Sequence, residues 1–385
     1  LRFQASIPFA LRRLKGGTAV GKNIILLSDG TGNSAASAQK TNVWRLYQAL
    51  DCSETPGSGQ RQIAHYDDGV GTGSFKPLAL IGLALGLGVW ANVRDLYTFL
   101  CRNYEDGDRI YLFGFSRGAF TVRLLAGLIG RCGIVTWETE QELLERVGAA
   151  YYAYRRDFLY RAALRRPMPL QRAIVRRPEY EENSHDSKIK LWFPQRRPHI
   201  AFIGVWDTVD AYGMPIDEWK IGIDRYIWPV GVADRYLSSG TDKVCHALSL
   251  DDERPTFRPV LWTEQNYRFG DPPGDRLEQV WFAGVHANVG GGYPDDSLAC
   301  FSLDWMMDKS DLRFLDAERQ DVRDRANREG PQYDSRAGLG GYYRYGPRSV
   351  ERLCNDDQYG FPLQRRKSIA ARSIASRRAR SPTHP

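Results

Sequence analysis

Asp108 to Phe115 reads DRIYLFGF, a nearly unbroken apolar run, and no other segment constrains the fold as tightly. A strand with so little polar surface belongs in a sheet covered on both faces, the pattern of a parallel sheet. RGAFTVRLLAGLIGRCG follows directly and reads as a helix stopped by glycines. The same alternation recurs along the chain. NIILLSDGTGNS supplies a short strand, Ile24 to Leu27, and a turn-rich loop from Ser28 to Asn33. TNVWRLYQAL is a helix capped by Thr41 or Asn42, with Val43, Leu46, Tyr47 and Leu50 on one face. RQIAHY is a second strand before the glycine-rich DDGVGTGS, and NVRDLYTFLCRNY a helix presenting Val93, Leu96, Tyr97 and Leu100. HIAFIGVWD and EQVWFAGVH are later strands, and DDSLACFSLDWMMD is a late helix. Strands alternating with helices predict the α/β class, an open, mostly parallel sheet with helices on both faces.

Residues 137–198 differ in character. A long amphipathic helix, ETEQELLERVGAAYYAYRRDFLYRAALRR, leads into the polar RPEYEENSHDSKIKLWFPQRR. The block reads as a helical insertion on the sheet, with the character of a cap. The expected organisation is an N-terminal extension over 1–22, a main domain over 23–309, a polar extension over 310–360 and a basic tail over 361–385. That tail explains the net charge of +7: it holds seven basic residues and no acid, leaving 46 basic against 46 acidic residues elsewhere. Such a tail is expected to be disordered and solvated. The neutral body excludes a nucleic-acid binder by charge.

PLALIGLALGLGVWA, residues 77–91, would reach about 22 Å as a helix, short of the roughly 30 Å hydrocarbon core. It fits a buried or lid-like helix, or one that dips into a membrane interface. Six scattered cysteines without Cys-x-x-Cys or Cys/His spacing argue against zinc and favour a reducing, cytoplasmic compartment. No secretory signal is visible, although the chain starts at Leu1.

Chemistry concentrates at Gly114-Phe115-Ser116-Arg117-Gly118. Gly-x-Ser-x-Gly is common by chance, and its weight here comes from the strand before it and the helix after it. A serine on that turn stands exposed above the sheet as a nucleophile, and the Arg117 N–H can face a developing oxyanion. The bland alternative is a serine capping the helix. A serine nucleophile needs a base, and six histidines allow elimination. His65 precedes the serine, His384 lies in the tail, His185 in a polar loop, and His199 at the wrong end of a strand. His286 ends an apolar strand and opens ANVGGGYP, whereas His246 lies within apolar sequence and reads as a core residue. For the orienting acid, Asp207 ends HIAFIGVWD; Asp210, Asp251 and Asp252 compete, the last two reading as a loop salt bridge to Arg254. SDGTGN follows the first strand, where Gly30 and Thr31 amides are placed as oxyanion donors and Asp29 as a brace.

In order, DGTGN, DDGVGTG, GDRIYLFGFSRGAFTVRLLAGLIGRCG, GVWDTV, SLDDERPTFRPVLW and VWFAGVHANVGGGYP resemble the bacterial and fungal α/β-hydrolase family long labelled a domain of unknown function. That family includes the phospholipase effectors of type VI secretion. The resemblance covers about Asn23 to Lys309 and implies an α/β-hydrolase fold. It further implies a Ser-Asp-His hydrolase of ester bonds, in some members phospholipids, its roles falling on Ser116, Asp207 and His286. Neither metal nor organic cofactor is implied. Expected partners are an ester or phospholipid and a membrane surface touched by residues 77–91 or the basic tail; export by a type VI-like system is a further expectation. The 77–91 helix, with Trp44 or the aromatic 219–228 region, is a candidate acyl pocket. Two other readings stay open: a metal-assisted phosphoesterase using Asp29, Asp207 and His286, and a non-catalytic hydrolase-like binding protein.

Overall fold

The computed structural model describes residues 21–30, 38–54, 60–69, 78–164, 198–209, 237, 240–262, 276–336 and 345–348, with the backbone alone at 78–87, 156–164 and 256. Six strands form: β1 (Asn23–Ser28), β2 (Gln62–Asp67), β3 (Arg109–Phe115), β4 (Ile200–Trp206), β5 (Thr241–Ser249) and β6 (Leu277–Phe282). Five fall on the expected runs, while β5 falls on the apolar stretch around His246, which does not read as a strand in the sequence. They make one sheet in the order β2-β1-β3-β4-β5-β6, every neighbouring pair parallel. The expected α/β class is therefore the observed one.

The period of two along each strand sorts side chains onto two faces. Ile24, Leu26, Ile110, Leu112, Ile203, Val205 and Val244 face a core shared with helices α2 (Leu78–Asn103), α3 (Arg117–Cys132) and α4 (Glu140–Leu164). Ile25, Leu27, Tyr111, Phe113, Phe202, Trp206 and Cys245 face the opposite core, filled by α1 (Asn42–Ala49), α6 (Ser297–Ser310) and α7 (Asp316–Arg325). The five-residue α5 (His286–Gly290) lies between them in sequence, after β6. Covering both faces is what allows β3 to carry six buried residues in succession. Of these, Ile110, Leu112, Phe113 and Phe115 each contribute roughly 1.5–3 kcal/mol by burial.

Thr41 caps α1 as expected, its hydroxyl accepting the Trp44 N–H at 3.2 Å. Two expectations change. Residues 78–91 of the apolar segment and the helix after it are continuous in α2, because no proline or capping residue separates them. Among the described residues no helix is long and apolar enough to cross a membrane. The first half of the insertion is also core rather than cover: Leu143, Val147 and Ala150 of α4 are buried, and Tyr151 and Tyr154 meet Trp90 of α2 edge-on at 5.7 and 6.2 Å. Residues 165–197, like the N-terminal extension up to residue 20, the aromatic 219–228 region and the basic tail, lie outside the described residues.

Strand order decides where function can sit. The chain runs from β1 outward to β2, then returns past β1 to β3. Adjacent crossovers there leave on opposite faces, opening a crevice at the carboxyl ends of β1 and β3. Ser28, Asp67, Phe115, Trp206 and Ser249 end their strands along that same edge.

Candidate active site

β3 ends at Phe115 and α3 begins at Arg117, so Ser116 alone makes the turn. It adopts φ 57° and ψ −118°, a backbone that costs a non-glycine residue on the order of 1–3 kcal/mol. Its side chain makes no capping bond to α3, so the capping alternative does not account for it. Close packing holds the turn. A Cβ on Gly114 would lie 2.5 Å from the Gly118 carbonyl oxygen, and one on Gly118 would lie 2.0 Å from that of Ser28. Only glycine lets α3 start this near β1 and β3. The Ser116 N–H donates to the Trp206 carbonyl at 3.0 Å, tying the turn to β4.

Asp207 follows β4 with φ 38° and is fully buried. Its carboxylate gathers donors from three directions. Oδ1 accepts the Ser249 N–H at 3.0 Å and Arg348 Nη1 at 2.8 Å. Oδ2 accepts the Ser249 hydroxyl at 2.9 Å and Arg348 Nη2 at 3.0 Å, and meets His286 Nδ1 at 2.6 Å. Burial by itself would raise this carboxyl. The Arg348 guanidinium and the imidazole reverse that and hold it well below the usual carboxylate range.

His286 does not end β6, which stops at Phe282; it opens α5, and its N–H donates to Asp252 Oδ2 at 3.1 Å. Its ring lies between Phe115, tilted at 4.6 Å, and Phe257, edge-on at 5.1 Å. Nε2 is buried and has no hydrogen-bond partner among the described residues. Burial lowers the imidazole's pKa, the Asp207 contact opposes it, and the net direction is downward. The ring is thus neutral near pH 7, with Nδ1–H donated to Asp207 and a bare Nε2 lone pair. A Cβ on Gly290 would come within 2.0 Å of the Phe115 ring. α5 therefore rests on Phe115, the residue preceding Ser116.

Asp29 stands after β1, at the start of the early loop. Asp29 Oδ1 accepts the Gly30 N–H at 2.7 Å, and Oδ2 accepts the Tyr66 hydroxyl at 2.7 Å and the Thr41 hydroxyl at 2.5 Å. The Gly30 amide is thus engaged by Asp29; Thr31 lies outside the described residues. His246 is a core residue: Nε2 accepts the Thr208 N–H at 3.2 Å, and burial pushes its pKa down to about 3. His199 is exposed before β4 and pairs with Asp242, while His65 stacks on Phe99. His185, His384 and Asp210 lie outside the described residues. Asp252 does pair with Arg254, at 2.8 Å, while Asp251 accepts the Gly284 N–H at 2.6 Å. Trp44 packs edge-on against Tyr66 at 4.9 Å. Among the described residues no three His, Cys, Asp or Glu converge as metal ligands. Asp29 and Asp207 are instead saturated by hydroxyls, amides and a guanidinium.

Sequence reasoning missed Arg348, Ser249 and the second role of Asp252. Ser249 had a faint signal, a polar residue ending a buried strand. Arg348 had none, being one of 53 basic residues, in a segment that reads as loop.

Residues 22–309 match the family described as T6SS, phospholipase effector Tle1-like, catalytic domain. A relative of 30% identity over 261 residues is the uncharacterized protein YEL023C of Saccharomyces cerevisiae; the match takes in 64% of this chain and 33% of that protein. The chain thus spans about a third of the length of this relative. Among solved structures, an uncharacterized protein from Pseudomonas aeruginosa aligns with TM-score 0.41 and 17% identity, over 83% of this chain and 50% of that one. The Tle1 effector bound to the VgrG spike aligns with TM-score 0.37 and 15% identity, over 71% and 52%. With the family match running from the first strand of the sheet to the helix after His286, the chain belongs to the Tle1-like phospholipase effector catalytic domain family.

Proposed function

We propose that this chain is a serine hydrolase that cleaves carboxylic esters, phospholipid acyl esters foremost, with Ser116 as nucleophile, His286 as base and Asp207 as the acid that orients it. The observation that carries the reading is the 2.6 Å contact between Asp207 Oδ2 and His286 Nδ1. It leaves a buried Nε2, without a partner among the described residues, at the sheet edge where Ser116 holds its strained turn.

In this reading Ser116 Oγ attacks the acyl carbon while His286 Nε2 takes its proton. The Arg117 N–H, first of helix α3, stabilises the oxyanion together with the helix dipole. The imidazolium then protonates the leaving alcohol, and water admitted to the acyl-enzyme repeats the steps with His286 again as base. Asp207 keeps the Nδ1–H tautomer throughout. Lipid as substrate is supported by the family's phospholipase activity, and so is export through a type VI system. Contact with a lipid surface through residues 77–91 or the basic tail belongs to the same reading.

Fluorophosphonate labelling of wild type, Ser116→Ala and His286→Ala tests it. Wild type alone is expected to label, and to release fatty acid from phosphatidylethanolamine–phosphatidylglycerol vesicles in the presence of chelator. Labelling that survives Ser116→Ala would move the nucleophile elsewhere. Turnover abolished by chelator would favour the phosphoesterase reading, and a folded wild type that neither labels nor hydrolyses would favour a binding protein.

A further inference from the structure

The family match ends at residue 309, yet the site continues beyond it. Residues 331–333 return to α5: Asn288 Nδ2 donates to the Pro331 carbonyl at 3.1 Å, two residues past His286. Residues 345–348 return to β5 and the turn after it. The Gly346 N–H donates to the Glu253 carbonyl at 2.8 Å, and a Cβ on Gly346 would meet Pro255 at 2.6 Å. This close approach delivers Arg348, whose side chain is 1% exposed, to the heart of the site.

We propose that Arg348 is a positioning residue for the hydrolytic site, clamping Asp207 and framing His286 from outside the matched domain. The inference rests on the serine-hydrolase reading for its catalytic consequence. Three sets of contacts support it. The guanidinium grips both oxygens of Asp207, Nη1 to Oδ1 at 2.8 Å and Nη2 to Oδ2 at 3.0 Å. A planar fork of this kind fixes the carboxylate's rotation, which a lysine point charge cannot do. Nη1 also donates to the Ser249 carbonyl at 2.5 Å and to its hydroxyl, joining the end of β5 to the clamp. Nη2 donates to the Phe257 carbonyl, and the Phe257 ring is one wall of the imidazole's slot. One side chain thus sets the carboxylate that orients His286 and the ring that flanks it.

The charge matters as well as the geometry. Arg348 and Asp207 form a buried ion pair, so Asp207 presents a partly balanced charge to the imidazole. Arg254 and Asp252 also face His286, from the turn after β5, with opposite effects on its proton. Without the guanidinium, Asp207 would draw a proton onto His286 to balance the buried charge. The base would then be occupied at a pH where the wild type is active.

The test reads His286 directly, apart from turnover. The chain has six histidines, few enough for titration of 13C-histidine-labelled protein by NMR, with His286→Gln to assign the signal. Arg348→Met is expected to raise the His286 pKa by about one unit. The acid limb of kcat/KM for a p-nitrophenyl ester should move up with it, and kcat should fall about 30-fold while KM changes less than threefold. Arg348→Lys is expected to keep the wild-type His286 pKa but lose about tenfold in kcat, since charge returns without the fork. An unchanged His286 pKa together with wild-type kcat in folded Arg348→Met would overturn the proposal. If that variant fails to fold, Arg348→Lys decides: wild-type kinetics overturn the proposal, and loss of kcat at an unchanged Tm supports it. A wild type inactive on every ester would remove the hydrolase reading, while the titration would still decide whether Arg348 governs His286.

Discussion

Two residues at the centre of this site, Ser116 and Asp207, have positive φ without being glycine. Strain of that kind persists only where surrounding structure over-determines it. At Ser116 the over-determination comes from Gly114 and Gly118 packing backbone on backbone. Ser116→Ala keeps the strain and removes the hydroxyl; Ser116→Gly removes both. Urea unfolding should therefore find Ser116→Gly more stable than Ser116→Ala by about 1 kcal/mol, with both inactive. Asp207→Asn has the opposite sign, because it leaves Arg348 buried without its counter-charge. A loss of about 3 kcal/mol is expected in the same measurement, and a variant as stable as wild type would contradict the buried pair. For pH, the sign follows from His286. Its pKa lies below the ordinary 6.5, so the neutral imidazole persists as pH falls through 6.5 and is lost only below it. The acid limb of kcat/KM should have its midpoint under pH 6.5. Folding stability should decline over the same range, since the unfolded chain takes up protons first.

Elements carry the site by how closely they approach one another. α3 can begin beside β1 only because Gly118 lacks a Cβ, and α5 can rest on Phe115 only because Gly290 does. Gly118→Ala is expected to displace the first turn of α3 and with it Ser116, abolishing fluorophosphonate labelling and lowering the Tm by about four degrees, about 3 kcal/mol for a chain this long. Gly148 is the contrast. It sits within α4 with nothing near its missing Cβ, so Gly148→Ala should stabilise by about 0.5–1 kcal/mol with activity unchanged. Elements were also where sequence reading worked well. Five of the six strands fell on runs legible as strands and the α1 cap was legible as Thr41 or Asn42, whereas β5, apolar around His246, was not legible as a strand. The single long α2 was less legible. Its first half is apolar all round and its second half amphipathic, so the period breaks where the backbone does not.

Across the whole molecule, charge is lodged at one end, with seven basic residues and no acid over 361–385. If that tail reads a lipid surface, ending the chain after Gly360 should weaken binding to anionic vesicles by about 1 kcal/mol per basic residue that touches the surface. Hydrolysis of a soluble short-chain ester should not change, because Arg348 remains. Equal vesicle binding with and without the tail, at low salt, would assign the contact to another part of the chain. Local sequence sufficed for much of the rest. The strand–serine–helix turn, the aspartate ending one strand and the histidine following another are all local signals, written in residues adjacent to the element that places them. Which strands lie side by side was not written there. The order that sets β1 against β3, and so opens the crevice beside Ser116, follows from how two apolar faces can be covered at once. Arg348 is the clearest case. It lies 141 residues from Asp207 along the chain and beyond the family match, and its own neighbours in sequence say nothing of a buried carboxylate. Its role exists only because folding carries the C-terminal segment back over β5, where a charge removed from water must find its partner.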